Sequence, residues 1–274
     1  MWGKTCIIPI FYIYLQRNEG GTNGPPSLLY HCQTFYTDMN NTIRTLTVWF
    51  ENEISQYEVP LLRGSVLANI GNNADVLFHN HMDEKYRYSF PLIQYKCIKK
   101  KACIVCIEDG VDIIGQLFAS PSNTFILGNR SVEMQISSVL PRKTTIQAWE
   151  NTKKYHLRRW LPLNSENFKT YLKLETLTER VAFLEHILIG NVLSMAKGLG
   201  IHFEKQVTCS ITRLSEPSTV KVKNTKIMMF DADFNSNVSL PDWVGIGKHA
   251  SIGFGIVTEE KRKIKNNDDE QHSA

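Results

Sequence analysis

The chain has no apolar run approaching the ~18 consecutive residues that a membrane-crossing helix needs, so no segment reads as a transmembrane helix. The nearest approach is residues 6–15, which follow Lys4 and resemble the core of a secretory signal. No small-x-small cleavage site follows, and the chain turns at once into the polar run from Gln16 to Gly21. Cysteine is sparse: six in 274 residues, with one C-x-x-C formed by Cys103 and Cys106 and with Cys97 nearby. A structural zinc site needs four ligands, and no second pair supplies them. The pair also falls in the apolar run 102–107, which reads as a buried strand, where residues three apart face opposite sides of the sheet. Reduced thiols in a cytoplasmic protein are expected, with no metal and no cofactor. A strong excess of one charge is missing too. Lys and Arg number 31 against 27 Asp and Glu, a net +4, which permits a nucleic-acid partner without arguing for one. No repeat of short period is present. What remains is ordinary globular composition, 42% hydrophobic, at a length that suits one large domain or two of modest size.

What stands out is residues 244–257, where Gly245, Gly247, Gly253 and Gly255 form two Gly-x-Gly pairs around Lys248, His249 and Ser251. Glycine lets backbone N–H groups approach a ligand closely and take positive φ. A glycine loop carrying a lysine therefore points to a phosphate or a nucleic-acid backbone. The dinucleotide fingerprint matches Gly245 to Ala250 by letter but needs a strand before it and a helix after it. Here a polar turn with Pro241 at 235–242 precedes it, and an apolar strand follows. The Walker pattern fails because His249 follows Lys248 and no glycine sits five residues before Gly247. The candidate ligand groups are Lys248, His249, Ser251 and the backbone of Gly245, Gly247 and Gly253.

Along the chain, residues 1–38 are an apolar patch followed by a Gly- and Pro-rich stretch at 19–27. They are expected to be a disordered or dispensable extension, with the working protein starting at Met39. A strand is expected at 43–50, a helix at 59–70, strands at 86–98 and 102–107 around Lys99, Lys100 and Lys101, a helix at 111–118 and a strand at 131–139. That β-α-β-β-α-β order over 39–140 is the ferredoxin-like plan, whose open sheet RNA-recognition modules use. Pro141 and the polar residues 142–145 mark a boundary. In the second half Asn164 or Ser165 caps a helix running to Leu174. A longer helix from Thr178 follows, with Val181, Leu184, Leu188, Val192 and Met195 on one face and Gly190 marking close packing. Strands are expected at 207–214, 226–234 and 252–257. The fold class is α+β: tandem ferredoxin-like (RRM-like) domains at 39–140 and 141–258, a C-terminal glycine-rich loop, and a charged tail at 259–274.

The stretches at 59–64, His79-Asn80-His81, 86–96, the helix 184–199 and the terminal glycine loop resemble the CRISPR-associated repeat-RNA endoribonucleases, the family called Cas six, and its subtype b in particular. The resemblance covers 43–257. It implies two ferredoxin-like domains in tandem that cut CRISPR repeat RNA without a metal, and it implies catalytic histidines in the loop after the first helix.

The residues support that chemistry. Two positions apart in an extended loop, His79 and His81 can point to one side. Imidazoles titrate near neutrality, so one can take the proton of a 2′-OH while the other protonates the leaving 5′-oxygen. The products are a 2′,3′-cyclic phosphate and a 5′-OH, and which histidine is base and which acid stays open. Both can also be ordinary surface histidines. A cation stabilises the growing phosphorane charge. Lys85 ranks first by proximity and Lys96 second, and either can be a solvated lysine. Tyr86 and Tyr88 can stack, hydrogen-bond or pack. Arg158 and Arg159 beside Trp160 form a basic–aromatic cluster that either meets RNA or lies over a half-buried indole. Arg63 either faces RNA or caps the fold. The expected partners are CRISPR repeat RNA and other CRISPR-associated proteins of an interference complex. The competing readings are a non-catalytic RNA-binding subunit on the same scaffold, and a metal-dependent hydrolase using His79 and His81 with Asp75 and Asp83 nearby.

Overall fold

A computed structural model describes residues 41–71, 74–79, 90–120 and 122–260. The extension expected at 1–38 and the chain from residue 261 onward lie outside them. The first strand, β1 (Thr42–Glu53), forms where β-branched and aromatic residues fit a pleated, half-buried surface. Ser55 and Glu58 then close a capping box, the Ser55 N–H donating to Glu58 Oε2 at 2.7 Å. Pro60 opens α1 (Val59–Ile70), where a missing N–H leaves no helical bond unmade. Leu62 and Val66 of α1 are fully buried. The short α2 (Val76–His79) starts at Asp75, whose Oδ1 accepts the Leu77 N–H at 2.9 Å.

Strands β2 (Ile93–Ile98) and β3 (Lys101–Ile107) make a hairpin. Its turn residues Lys99 and Lys100 take φ of 49° and 65°, the handedness that matches strand twist. The helix expected at 111–118 is two short pieces, α3 (Asp109–Ile113) and α4 (Gly115–Phe118). The strand expected at 131–139 also needs correction. β4 (Thr124–Leu127) and β5 (Arg130–Glu133) pair with each other. The strand that completes the sheet is β6 (Ile136–Thr145), which runs along β1 from Thr145 opposite Thr42 to Ile136 opposite Phe50. Pro141 and residues 142–145, read from sequence as a boundary, lie inside β6. Proline is tolerated there because β6 is the edge of a sheet ordered β2-β3-β1-β6, all neighbours antiparallel. This is the ferredoxin-like order.

The second half repeats it. β7 (Ala148–Trp160) leads to α5 (Ser165–Lys173), whose N-cap Asn164 accepts the Asn167 N–H at 2.6 Å. α6 (Leu177–Gly198), 22 residues long, is capped by Thr176 and Glu179 and buries Leu184, Leu188, Val192 and Met195. Gly190 has open space where a side chain would stand, so its expected close packing is not found. Gly198 is the crowded one, with Phe90 Cβ 2.3 Å from where its own Cβ would be. β8 (Cys209–Leu214), β9 (Ser218–Val222), β10 (Thr225–Val238) and β11 (Ile256–Glu259) complete the half. Its sheet is ordered β11-β7-β10-β8, with β9 paired to β10. β10 runs on into the stretch expected as a polar turn at 235–242, because Ser236 Oγ donates to Thr208 O at 2.9 Å and Asn237 Oδ1 accepts the Thr208 N–H at 2.8 Å. One ferredoxin-like part is replaced. Between β10 and β11, where the second crossover helix belongs, the chain makes a 3₁₀ turn at Ala250–Ile252 within the glycine-rich loop.

Strands β2 and β3 of the first sheet are buried on both faces, while the edge strand β6 is mostly exposed. Cys103, Val105 and Ile107 of β3 join a core shared with Tyr155, Leu157, Trp160 and the buried face of α6. Ala102, Ile104 and Cys106 face a second core with Val48, Leu62, Val66 and Tyr95. Cys103 and Cys106 thus lie on opposite faces, and among the described residues no group of His, Cys, Asp or Glu is placed to hold a metal ion. No described helix is long and apolar enough to cross a membrane.

Candidate functional site

The glycine-rich loop hangs between two short antiparallel stems. Trp243 N–H donates to Val257 O at 2.8 Å, Val257 N–H to Val244 O at 3.0 Å, and Ile246 N–H to Gly255 O at 2.9 Å. Gly255 N–H in turn donates to Arg159 O at 3.0 Å, fastening the loop to the end of β7. Two glycines are required by contact. A Cβ on Gly255 would lie 1.9 Å from Ile246 O, and one on Gly247 would lie 2.6 Å from Asn191 Oδ1 of α6. Both also take positive φ, 63° and 78°, which L side chains adopt at a cost.

The loop presents its tip rather than its whole backbone. Gly245 and Gly253 are buried, and the Gly245 N–H is engaged by Gln94 Oε1 at 2.7 Å. Lys248 is exposed, with Nζ 3.5 Å from Leu163 O, while His249 and Ser251 are half-buried. The His249 ring lies edge-on to Phe254, centroids 6.1 Å apart. Burial, reinforced by the positive charges of Lys248 and Lys223, holds the imidazole below its ordinary pKa and so favours its neutral form. Lys223 stands at the turn between β9 and β10, with φ of 53°.

The basic–aromatic cluster expected at 158–160 divides in three. Trp160 is fully buried and donates Nε1–H to Asn191 Oδ1 at 2.9 Å, so it is core and offers no ring for a base to stack on. Arg158 is paired: its guanidinium donates to Asp233 Oδ1 at 3.1 Å, the oxygen that also lies 2.8 Å from His156 Nδ1, and Arg213 donates to Asp233 Oδ2 at 2.6 Å. Burial pushes the Asp233 carboxyl up, but the hydrogen bonds from His156 and Arg213 and the charge of Arg158 outweigh it and hold Asp233 below its usual value. Arg159 lies beneath the loop. It takes φ of 55°, its N–H donates to Asp231 Oδ1 at 2.7 Å, and its guanidinium carbon is 4.6 Å from the Phe254 ring centre. Among the described residues its buried Nε has no hydrogen-bond partner, and burial lowers the pKa of the group.

Lys96 departs most from expectation. It is fully enclosed, 0% exposed, so it cannot contact RNA or a phosphorane. Its Nζ donates to Gln94 Oε1 at 2.9 Å, and burial pushes the amine down to about 7. Arg63 is half-buried on α1. Burial lowers its pKa and the nearby Tyr95 opposes the shift. His79 closes α2, but its side chain, together with His81, Lys85, Tyr86 and Tyr88, lies outside the described residues. Sequence reading missed Gln94, Asn191, Phe254 and Lys223. Gln94 alone carried a signal, as an uncharged polar residue beside Lys96 in a strand, Ile93–Ile98, that is otherwise apolar or aromatic.

Residues 41–145 match the family model of the Cas6b N-terminal domain, and residues 147–260 match that of the Cas6b C-terminal domain. The chain belongs to the Cas6b family. The two family matches meet where β6 passes into β7. A solved structure described as a crystal structure of Cas6b superposes with a TM-score of 0.73 at 27% identity, covering 80% of this chain and 100% of that one. A second, described as the CRISPR RNA processing endoribonuclease Cas6b, gives a TM-score of 0.62 at 25% identity over the same shares. An uncharacterized protein of Methanocaldococcus jannaschii is 36% identical over 109 residues, which is 39% of this chain and 73% of the relative. The tandem ferredoxin-like arrangement expected from sequence is therefore the fold of this family.

Proposed function

We propose that the protein is an endoribonuclease that processes CRISPR RNA, cutting repeat RNA by attack of a 2′-OH on the adjacent phosphorus, without a metal or other cofactor. The observation that carries this reading is the superposition of 80% of this chain, at 25% identity, on the whole of a protein described as a CRISPR RNA processing endoribonuclease. The glycine-rich loop supports it, with the exposed Lys248 and the half-buried His249 at its tip. In the proposed reaction one of His79 and His81 takes the 2′-OH proton and the other protonates the leaving 5′-oxygen. Lys85 stabilises the charge that builds on the phosphorane. Lys248, His249 and Ser251, with Arg63, Arg158 and Arg159, contact the RNA. The partner is CRISPR repeat RNA, and the cut product stays with the protein in a complex with other CRISPR-associated proteins.

The test is cleavage of repeat RNA in excess EDTA, beside a substrate with a 2′-deoxy sugar immediately 5′ to the scissile phosphate. The native substrate should be cut to a 2′,3′-cyclic phosphate, and the deoxy substrate should bind uncut. Loss of cleavage in EDTA, or cutting of the deoxy substrate, would transfer the reaction to a metal-activated water. Tight binding with no cleavage of either substrate would make the protein a non-catalytic RNA-binding subunit.

A further inference from the structure

Gln94 is fully buried in β2, and every hydrogen-bonding position of its amide is filled. Oε1 accepts from Lys96 Nζ at 2.9 Å and from the Gly245 N–H at 2.7 Å. Nε2 donates to Pro91 O at 3.1 Å and to Gly245 O at 3.3 Å. A side-chain amide has two donors and two lone pairs, so nothing is left over. Three pieces of backbone and one amine meet at this group: the chain that follows residues 80–89, strand β2, and the first glycine of the loop, which is 151 positions away. Gly245 has to be a glycine, since a Cβ would stand 2.8 Å from Phe254 O and 3.0 Å from Lys96 Nζ. The Gly245 N–H can only donate and the two carbonyls can only accept, so Oε1 turns toward Gly245, where Lys96 Nζ adds a second donor, and Nε2 faces the two carbonyls. A leucine here would pack equally well but would hold neither.

We propose that Gln94, oriented by Lys96, is a positioning residue that fixes the register between the glycine-rich loop and the backbone leading out of residues 80–89, so that which phosphate is cut depends on this one amide. The proposal rests on the function read above, in which the loop grips RNA and residues 79–85 cut it. Neither side chain touches RNA. Each acts through the loop.

The test compares the full chain with its Gln94→Leu, Gln94→Glu and Lys96→Met variants. Amide hydrogen exchange without RNA reads the loop directly. Gln94→Leu and Lys96→Met should speed exchange at 245–247 by about tenfold or more, the equivalent of one lost buried hydrogen bond, while α6 exchanges as in the parent. Gln94→Glu keeps the acceptor for Gly245 and Lys96 but loses both donors, so it should retain protection of the Gly245 N–H. Unchanged loop exchange in all three variants, or acceleration that spreads equally through α6, overturns the proposal. Single-turnover cleavage reads the register. Gln94→Leu and Lys96→Met should add cuts at neighbouring phosphates and lower the saturated rate by about tenfold. A loosened loop that still directs cleavage to the single parental phosphate also overturns it. Should the parent protein itself fail to cut repeat RNA, the functional reading falls, and the exchange result still decides whether Gln94 holds the loop.

Discussion

The indole N–H of Trp160 and a Cβ placed on Gly247 compete for the same atom, Asn191 Oδ1. The hydrogen bond is 2.9 Å long, and the hypothetical Cβ would lie 2.6 Å away. The end of β7, the middle of α6 and the turn into the loop tip are thereby held at one point. The glycine at this position is a packing requirement before it is a ligand-binding one.

Gly247→Ala should therefore lower thermal stability and weaken RNA binding together. Forcing Ala to φ of 78° costs more than about 1 kcal/mol, and the crowded Asn191 adds to it. Thermal melts and filter binding check this. In an Asn191→Ala background the added cost of Gly247→Ala should shrink, because the two changes act on one contact.

Lys248→Glu should weaken repeat-RNA binding and flatten its dependence on salt, since a lost phosphate contact releases fewer counterions. Kd measured across a salt series reads the slope, and an unchanged slope would return Lys248 to solvent.

Substituting His79 or His81 with Ala should slow cleavage by about 10²–10⁴, the usual effect of removing a general acid or base, with RNA affinity little altered. Single-turnover assays at saturating protein separate the two effects. Parental rates in both variants would move the chemistry elsewhere.

Lys96 should leave a mark on stability against pH. Its folded pKa of about 7 lies below the ordinary 10.5, so between those values the unfolded chain binds a proton that the folded amine has shed. Stability then rises with pH above 7. From about pH 9 the buried thiols of Cys103 and Cys106, held protonated in the fold with the former pushed up to about 12, reverse the trend as the unfolded thiols ionise. Tm should climb from pH 7 to 9 in the parent, and Lys96→Met should abolish the climb. An equal climb in the variant would assign it to another group.

Sequence alone gives α1 its observed bounds, because Pro60 and the apolar spacing of Leu62, Val66 and Ile70 all agree. It also places Cys103 and Cys106 on opposite faces, since strand periodicity decides that. The fourth strand differs from expectation because β5 of the off-sheet β4–β5 hairpin precedes β6, and β6, an exposed edge strand rich in polar residues and carrying Pro141, has no buried alternation to mark it. The histidines proposed as catalytic, His79 and His81, are legible only as a residue type and spacing near the first helix. Lys96 and Trp160 are more deeply buried than the sequence suggests for one reason: a charged or amphipathic side chain in a strand looks solvent-facing until its partner is known. Here the partners are Gln94 and Asn191, the first answering also to a glycine at the far end of the chain. No local pattern encodes that.

The absent crossover helix in the second half has a kinetic consequence. A helix forms its own hydrogen bonds wherever the chain happens to be, and can lend early structure to the strands beside it. The segment between β10 and β11 has no such autonomy. Its stems need each other and the end of β7, and its first glycine needs a side chain 151 positions upstream. Contacts that span so much chain are closed late. The tip that carries Lys248 and His249 thus acquires its shape only after β2 and β7 are in place, and a misfolded first half would silence it without altering any residue of its own.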